Sequence, residues 1–430
     1  MNNQATNVVI LAKEGLSQSM NRWLLPLMMI IVATGCRESE KQAPLQAGNI
    51  AAIDSLIQHH IEQDHIPGAV IQVKRKDSIW HRKAYGYAQK YDKDLQMLDD
   101  PEKMTTDHLF DLASLTKVSA TTFGIMLLAD RDSLQLDGPV CQWLPEFETP
   151  EKKDITVRHL LTHSAGLYQW KPTYYFADNS KEQYRYIANL PLRWEVGAGR
   201  HYSDLGFMLL GEIIERISGQ SLDTFLEEEL YNPLNLEHTA FNPLELGYDQ
   251  IAATSHGNPF EKHMVYDDDF GYAVDVDPES WQGWRHYVLR GEVSDGNAWY
   301  GGEGVAGHAG LFSTVDDLQV LVDLLLSEGQ FEGEQLISPS IVDTFLSSDQ
   351  YDNGLGWAMD PEVIAAEGTP AGTFGHTGFT GTNIVAVPEY DLSIILLTNR
   401  EQVGVQPSGY YYDMQPMRQQ VVDLVLERIR

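Results

Sequence analysis

Cysteine and positive charge are both scarce in this sequence of 430 residues. Only two cysteines occur, Cys36 and Cys141, which is too few for a disulfide framework. Thirty lysines and arginines stand against 62 aspartates and glutamates, which gives a formal net charge of −32. Because that charge repels a phosphate backbone, we expect no nucleic-acid partner. A hydrophobic content of 43% excludes wholesale disorder and supports one large or two ordinary domains.

Long hydrophobic runs are also rare, and the clearest one lies near the N-terminus at Trp23–Val32. It follows a basic start at Met20 and precedes small residues and Cys36, a pattern typical of an export signal. A cysteine in that place is similar to a bacterial lipobox. This implies cleavage before Cys36, its lipidation and anchoring to a bacterial membrane, facing the periplasm or cell exterior. An ordinary N-terminal anchor helix is the alternative. We interpret residues 1–36 as an extension and signal, with Met20 as the true start, and residues 37–49 as a tether.

Several motifs that would identify other enzyme classes are missing. No Gly-x-Ser-x-Gly elbow surrounds Ser164, so an α/β-hydrolase is disfavoured. His159 and His163 have the i, i+4 spacing of helical metal ligands, but they lack the glutamate of His-Glu-x-x-His and an obvious third ligand. The run 267–269 lacks EF-hand spacing, and the glycine-rich segment 301–313 lacks the Gly-Lys-Ser/Thr ending of a phosphate loop. We therefore expect no metal and no organic cofactor.

Hydrophobic periodicity predicts strands and helices at both ends of the chain and a mostly helical middle. Strands are predicted at Ala69–Val73, Ser78–Tyr87, Phe374–Val387 and Leu392–Asn399. Helices are predicted at Ile50–Ile61, Ile155–Thr162, Ser180–Asn189, Leu205–Ile217, Ser221–Leu230, Val315–Leu326 and Met414–Arg430. This order favours an α+β domain over residues 50–430, an antiparallel sheet flanked by helices beside an all-helical subdomain. The subdomain is expected within about 130–330, where Asn242–Gly301 is interpreted as an insertion or long loop.

The chemistry is predicted to centre on Ser114 and Lys117, which are three residues apart. On a helix they would lie one turn apart, so an amine would stand beside a hydroxyl. Asp111 is a candidate N-cap, which would place Ser114 in the first turn, where free N–H groups favour developing negative charge. Chance alone supplies roughly one Ser-x-x-Lys pair in a chain of this length, so the pair needs further support.

Three more segments provide that support through a family resemblance. Ser114–Lys117 resembles the first motif of the serine β-lactamase and penicillin-binding protein superfamily, in its class C-like branch. His159–Leu167, Arg200–Gly219 and Phe374–Gly381 are similar, in this order, to a helix-to-loop segment and to the second and third motifs of that branch. The resemblance runs from about residue 50 to residue 430 and implies a β-lactamase/transpeptidase-like fold.

The resemblance also implies roles for the residues that match. Ser114 would attack a carbonyl and form an acyl-enzyme. Lys117 and Tyr202 would carry its proton to the leaving group and activate water, and which of the two is the general base stays open. Asp204 stands where β-lactamases usually have asparagine. A carboxylate beside Lys117 would raise the pKa of the amine and move the duty of the base toward Tyr202.

The third motif would supply the substrate-binding strand with His376, Thr377 and Gly378. The oxyanion would lie between the N–H groups of Ser114 and Phe379. Gly378 would leave room for a substrate along the strand. His376 stands where many relatives have lysine, so the attraction for a substrate carboxylate would be weaker and pH-dependent. This departure and Asp204 together predict weak or absent β-lactamase turnover.

Two more residues are candidates for the cleft. His308, in the glycine-rich segment, could line it or be structural, and that segment is similar to one in penicillin-binding-protein-like D-alanyl-D-alanine carboxypeptidases. Arg400 could hold a substrate carboxylate or be a solvated residue at a strand end.

Three functions remain open from the sequence. They are an exported serine hydrolase of peptidoglycan peptides (a D-alanyl-D-alanine carboxypeptidase or D-amino-acid amidase), an esterase of small acyl esters, and a peptidoglycan-binding protein without turnover. The oligomeric state stays open.

Overall fold

The computed structural model describes residues 47–364, 366 and 368–429. The strands are β1 Gly68–Arg75, β2 Ser78–Tyr91, β3 Met97–Lys103, β4 Phe110–Asp111, β5 Ala240–Phe241, β6 Ala253–His256, β7 Val288–Arg290, β8 Leu311–Ser313, β9 Gln330–Phe331, β10 Glu334–Gln335, β11 Phe374–Thr377, β12 Asn383–Val387 and β13 Leu392–Thr398. The α-helices are α1 Ala47–Glu62, α2 Thr122–Asp130, α3 Val157–Leu161, α4 Ser180–Asn189, α5 Asp204–Ser218, α6 Leu222–Leu226, α7 Pro259–Tyr266, α8 Gly296–Tyr300, α9 Val315–Leu326, α10 Pro339–Phe345, α11 Pro361–Ile364 and α12 Gln415–Leu426.

The proposed signal and Cys36 lie outside the described residues. Helix α1 begins at Ala47, inside the segment 37–49 that was expected to be a tether. Within the part of the chain that the structure describes, no helix is long and apolar enough to cross a membrane.

The main sheet joins the two ends of the described chain. Its six antiparallel strands lie in the order β11-β12-β13-β1-β2-β3, with Ala69 opposite Thr398 on one side and Tyr85 on the other. Strands β1 and β13 are buried on both faces. Val70 and Ile395 point to one core, whereas Ile71 and Ile394 point to the other. The predicted α+β fold with one antiparallel main sheet is therefore confirmed.

Helices cover each face of this sheet. Helices α1 and α12 pack together on the face that contains Ile71, and α9 packs on the opposite face against β1 and β13. A mostly helical layer formed by α2 to α6 shares the larger core with α9. Helix α5 is capped by Ser203, whose Oγ accepts the N–H of Gly206 at 3.1 Å, and it ends at Gly219 in a left-handed conformation.

Two predicted segments have a different structure. The strand predicted over Phe374–Val387 is two strands, β11 and β12, because Gly378 donates its N–H to Thr382 O at 2.8 Å and closes a tight turn. The segment Asn242–Gly301 is not a long loop. It contains β6, α7, β7 and α8, and its aromatic residues form a separate apolar cluster with Trp170 and Tyr174.

Asp111 does not cap a helix, so that prediction is wrong. It lies in β4 and pairs with Phe312 of β8, and its carboxylate accepts the N–H groups of Ala113 at 2.9 Å and Ser294 at 2.7 Å. The helix that follows Ser114 starts with a π-helical stretch, Lys117–Thr121, and continues as α2. Asp111 therefore fixes the turn that presents Ser114 instead of opening the helix.

Candidate active site

Ser114 is presented by a strained turn between β4 and α2. The residue before it, Ala113, has a φ of +46°, a conformation that costs a non-glycine residue free energy and that concentrates at functional sites. The carboxylate of Asp111 holds the N–H of Ala113, and Lys117 N–H donates to Ser114 O at 3.1 Å. The side chain of Ser114 is half-buried and faces a pocket, called the main pocket below, that Tyr202, Asp204, His308 and Phe379 also line.

Lys117 lies beneath Ser114 and is fully buried. Its Nζ donates to Ser114 Oγ at 3.0 Å and to the backbone oxygen of His308 at 3.1 Å, and it forms an ion pair with Asp204 Oδ1 at 2.7 Å. The oxygen of Tyr202 is a fourth neighbour, so oxygen atoms and one carboxylate charge surround the Nζ. The arrangement therefore fits a charged lysine.

The electrostatics of the site lead to the same protonation state. Burial lowers the pKa of Lys117, but the negative charge of Asp204 and the nearby Tyr202 outweigh it and raise the pKa above the ordinary lysine value. The aspartate at position 204 led to the same prediction from the sequence, an increased pKa of Lys117. Lys117 is therefore an ammonium at neutral pH and does not accept the Ser114 proton in the resting site.

Tyr202 completes the group around Ser114. Burial raises the pKa of its phenol, while the charge of Lys117 and hydrogen bonds with Lys117 and Ser114 lower it, and the net direction is upward. The Nζ of Lys117 lies 5.0 Å from the centroid of the Tyr202 ring. In the resting site Tyr202 is a neutral phenol that is hydrogen-bonded to the nucleophile.

His163 supports Tyr202 rather than a metal. Its ring packs on the Tyr202 ring with centroids 4.4 Å apart, and its Nδ1 accepts the N–H of Ser203 at 3.0 Å. His159 has a structural role. Its Nδ1 accepts the N–H of Thr156 at 3.1 Å and completes the N-terminal capping box of α3. Among residues 47–429, apart from the two omitted positions, no cluster of three or more histidine, cysteine or acidic side chains could hold a metal.

His376 is a buried neutral base in β11. Burial lowers its pKa to about 3, with the charges of Lys117, Arg200 and Arg418 acting in the same direction. Its Nδ1–H donates to Thr377 O at 2.9 Å. The expected pH-dependent attraction for a carboxylate is wrong near neutral pH, because this histidine does not change charge there.

The turn after His376 gives a reason for glycine at position 378 that differs from the one expected from the sequence. A Cβ on Gly378 would lie 2.0 Å from Thr382 Oγ1 and 2.4 Å from Leu112 O. The glycine is required because the β11–β12 turn packs against the segment that carries Ser114, and not in order to leave space for the substrate. Phe379 follows it and lines the main pocket together with Ser114.

Arg400 holds this turn and is partly exposed. Its Nε donates to Phe379 O at 2.9 Å, and its Nη1 donates to Tyr412 O at 2.7 Å. The observed partners of this arginine are therefore backbone carbonyls, which neither sequence interpretation predicted. Arg400 fixes the carbonyl of Phe379, whose N–H is the expected second donor to an oxyanion.

The main pocket has a volume of about 360 Å³ and brings together Ser114, Tyr202, Asp204, His308 and Phe379. His308 therefore lies in the cleft. Its Nε2 contacts Asp295 Oδ1 at 2.9 Å, and its backbone oxygen accepts a hydrogen bond from Lys117 Nζ. Both functions predicted for His308, lining the cleft and supporting it, occur together.

Most of the pocket wall was not predicted from the sequence. The aromatic and acidic residues among those not predicted are Trp170, Phe260, Glu261, Tyr272, Asp295, Glu401, Tyr410 and Tyr411. Half of them come from the segment 242–301. The available signal was the density of aromatic residues in that segment, but no spacing indicates which of them face Ser114.

Comparison with known proteins agrees with this geometry. The Beta-lactamase family model matches residues 53–414. The chain is 34% identical to "N-acetylmuramyl-L-alanine amidase" of Bacillus subtilis strain 168, with 84% of this chain and 83% of the relative covered. It is 32% identical to "Putative D-alanyl-D-alanine carboxypeptidase" of Escherichia coli K12, with 89% of this chain and 91% of the relative covered.

The fold is also similar to solved structures. One is the octameric penicillin-binding protein homologue from Pyrococcus abyssi, with a TM-score of 0.64 at 20% identity, which covers 88% of this chain and 77% of the homologue. The matched residues include all three segments that meet at Ser114, Tyr202 and His376. The chain therefore belongs to the β-lactamase family and is a serine hydrolase.

Proposed function

We propose that this protein is a serine amidase that hydrolyses amide bonds of peptidoglycan fragments through an acyl-enzyme on Ser114. The observation that carries the proposal is the hydrogen-bonded group of Ser114, Lys117 and Tyr202 at the edge of an open pocket. The names of the Bacillus and Escherichia relatives supply the class of substrate.

The resting hydrogen bonds suggest the path of the first proton. Lys117 donates to Ser114 Oγ, so the Ser114 hydroxyl proton is directed to another acceptor. Tyr202 is that acceptor, because its oxygen is hydrogen-bonded to Ser114 and lies beside the ammonium of Lys117. In the reactive form Tyr202 has lost its phenol proton to solvent, and the Lys117 ammonium stabilises the phenolate. As Ser114 Oγ forms a bond with the substrate carbonyl carbon, its proton moves to this phenolate oxygen.

The second half of the reaction uses the same groups. The carbon–nitrogen bond of the tetrahedral intermediate breaks, and the departing amine takes the proton held at Tyr202. Water then attacks the ester on Ser114, gives one proton back through Tyr202 and releases the carboxylic acid, with the proton returned to Ser114 Oγ. The N–H groups of Ser114 and Phe379 would hold the oxyanion in both steps.

A second candidate is a D-alanyl-D-alanine carboxypeptidase, which the name of the Escherichia relative suggests. Such an enzyme must bind a terminal carboxylate. His376 is neutral and Arg400 is occupied, but the guanidinium of Arg200 lies 6.0 Å from the Tyr202 ring, and its buried Nε has no hydrogen-bond partner among the described residues. Arg200 is therefore the residue that would bind the carboxylate.

Two substrates separate these candidates. The amidase is expected to split N-acetylmuramyl-L-alanyl-D-isoglutamine at the muramyl amide, and the carboxypeptidase to release D-alanine from diacetyl-L-lysyl-D-alanyl-D-alanine. Products are identified by liquid chromatography and mass spectrometry, with Ser114→Ala as the blank. Release of D-alanine with a KM that rises in Arg200→Gln would favour the second candidate. If neither amide is cleaved but p-nitrophenyl acetate is hydrolysed rapidly, both candidate functions would be rejected in favour of an esterase.

We further propose export and lipid anchoring at Cys36, because an apolar run and small residues precede this cysteine. In a bacterial host that expresses the full chain, radiolabelled palmitate should enter the protein, and Cys36→Ser should abolish the label. Equal labelling of both proteins, or of neither, would contradict the proposal.

A further inference from the structure

The pocket beside Ser114 carries an excess of acidic side chains that the proposed chemistry does not use. Among the described residues that line it, four are acidic: Asp204, Glu261, Asp295 and Glu401. His308 is the only basic side chain in the same lining. Asp204 pairs with Lys117, and Asp295 lies 2.9 Å from His308. Glu261 and Glu401 are therefore left without a charge partner.

Glu401 has an unused hydrogen-bond acceptor in the pocket wall. The residue is 2% exposed, and its Oε2 accepts the hydroxyl of Ser294 at 3.1 Å. Its other oxygen, Oε1, is buried without a hydrogen-bond partner among the residues that the structure describes. Leaving a buried carboxylate oxygen unpaired costs free energy, so this oxygen is suited to accept a hydrogen bond from a bound molecule.

Glu261 lies in the same wall and is held only by neutral donors. Its Oε1 accepts the N–H of Gly296 at 2.7 Å, and its Oε2 accepts the hydroxyl of Tyr174 at 3.2 Å. Within residues 47–429, as far as they are described, neither Glu261 nor Glu401 has an ion-pair partner within 4 Å. Burial raises the pKa of Glu401 to about 7 and that of Glu261 to about 8.

The nearby arginines form no ion pair with these carboxyl groups, although the charge of Arg285 lowers the pKa of Glu261 and that of Arg400 lowers the pKa of Glu401. The Nη2 of Arg285 donates to Val293 O at 2.8 Å and to Ser294 O at 3.1 Å. Arg400 donates to the carbonyls of Phe379 and Tyr412. Because both guanidinium groups are held by backbone carbonyls, a cation from outside the protein would be the direct partner of the two glutamates.

The rest of the lining suits an ammonium group on an apolar body. Aromatic side chains attract cations over their faces and pack against hydrocarbon. Besides Tyr202, the aromatic residues of the pocket are Trp170, Phe260, Tyr272, Phe379, Tyr410 and Tyr411. His308 adds one more acceptor, because its Nδ1 is buried and has no partner among the described residues.

We propose that this pocket binds a primary ammonium group of the substrate, with Glu261 and Glu401 as its charge partners. The inference builds on the proposed amidase and identifies an amine-bearing side chain of the peptide as the group that occupies the pocket. A sugar hydroxyl could take the same hydrogen-bonding positions, but it would bring no positive charge to favour ionisation of these two carboxyl groups in a low-dielectric wall.

Binding of small probes tests the proposal without turnover. We would measure by calorimetry at pH 7.5 the dissociation constants of benzylammonium, of benzyl alcohol as its neutral isostere, and of N-acetylglucosamine, with the full chain. The expected result is that benzylammonium binds at least about tenfold more tightly than benzyl alcohol, a difference of one charge-assisted hydrogen bond. Equal binding of the two, binding of the sugar alone, or no binding would overturn the proposal.

Variants identify the residues responsible. Glu401→Gln and Glu261→Gln keep the size of each side chain, and each should reduce the preference for benzylammonium to less than about threefold. Asp343→Asn, an exposed carboxylate on α10, is the matched control and should keep the full preference. A preference that survives both glutamine variants would contradict the assignment. Since no bond is cleaved, failure here and failure of the amidase assay are distinguishable.

Discussion

The Nζ of Lys117 lies 2.7 Å from Oδ1 of Asp204, and this ion pair determines the resting state of the site. Burial alone would favour a neutral amine at position 117, as a general base requires. The carboxylate reverses that effect and keeps the ammonium. The proposed mechanism therefore assigns base function to Tyr202 and electrostatic support to Lys117.

Asp204→Asn should change the pH dependence of acylation. Without the carboxylate, burial lowers the pKa of Lys117, and loss of the negative charge also lowers the pKa of Tyr202. The acid limb of the pH profile of kcat/KM should therefore move down by about one pH unit or more. The profile is measured with p-nitrophenyl acetate after subtraction of the Ser114→Ala rate. Asp343→Asn should leave the limb in place, and an unmoved limb in Asp204→Asn would disprove this role of the ion pair.

His376→Asn should weaken the acid sensitivity of folding. The pKa of His376 is about 3 in the folded protein and near 6.5 when unfolded. As the pH falls below 6.5, the unfolded chain binds a proton that the native histidine refuses, so stability present above pH 6.5 is lost toward pH 3. The slope is about 1.4 kcal/mol per pH unit for one proton. Urea unfolding at pH 7 and pH 5 should show a larger loss for the parent than for His376→Asn. Equal losses would mean that the histidine is not held neutral.

Gly378→Ala should destabilise the β11–β12 turn and impair activity. The added methyl group would lie 2.0 Å from Thr382 Oγ1 and 2.4 Å from Leu112 O, so the turn or the Ser114 segment must shift. Overpacking of this kind costs about 1–3 kcal/mol. Gly206→Ala is the control, because its nearest atom would be at 3.7 Å and helix α5 tolerates alanine. Unfolding in urea measures both variants, and equal stabilities would contradict this role of Gly378.

Benzylpenicillin should be a poor substrate. Lys117 is held as an ammonium, and His376 offers no positive charge to the carboxylate of the drug. We expect kcat/KM below the range of about 10⁴–10⁸ M⁻¹ s⁻¹ that enzymes reach on their own substrates. The reaction is followed by the absorbance of the β-lactam ring. A kcat/KM inside that range would show that Asp204 and His376 do not prevent efficient β-lactam hydrolysis.

The sequence predicted the elements whose periodicity is strong. Helix α4 has the bounds Ser180–Asn189 that its pattern predicts, and α5 and α9 differ by one residue or less. The antiparallel pairing of β1 and β2 is also confirmed. These elements carry one apolar stripe or one turn signal each, so local sequence is sufficient.

The sequence was insufficient where contacts between distant segments decide the structure. Asp111 has the residue type of a cap, but its carboxylate bonds Ser294, 183 residues away. Arg400 looks like a solvated strand end, but the carbonyls of Phe379 and Tyr412 hold it. The acidic wall of the pocket combines Glu261 of α7, Asp295 just before α8 and Glu401 just after β13. No spacing in the sequence indicates that these residues lie together.

The most direct test of the account is the site of reaction with an alkyl fluorophosphonate. This reagent phosphonylates an activated serine, and intact mass followed by peptide mapping locates the product. The account predicts one phosphonyl group per chain, on Ser114, and no adduct in Ser114→Ala. An unchanged mass in the parent, or an adduct on another residue that persists in Ser114→Ala, would contradict Ser114 as the nucleophile.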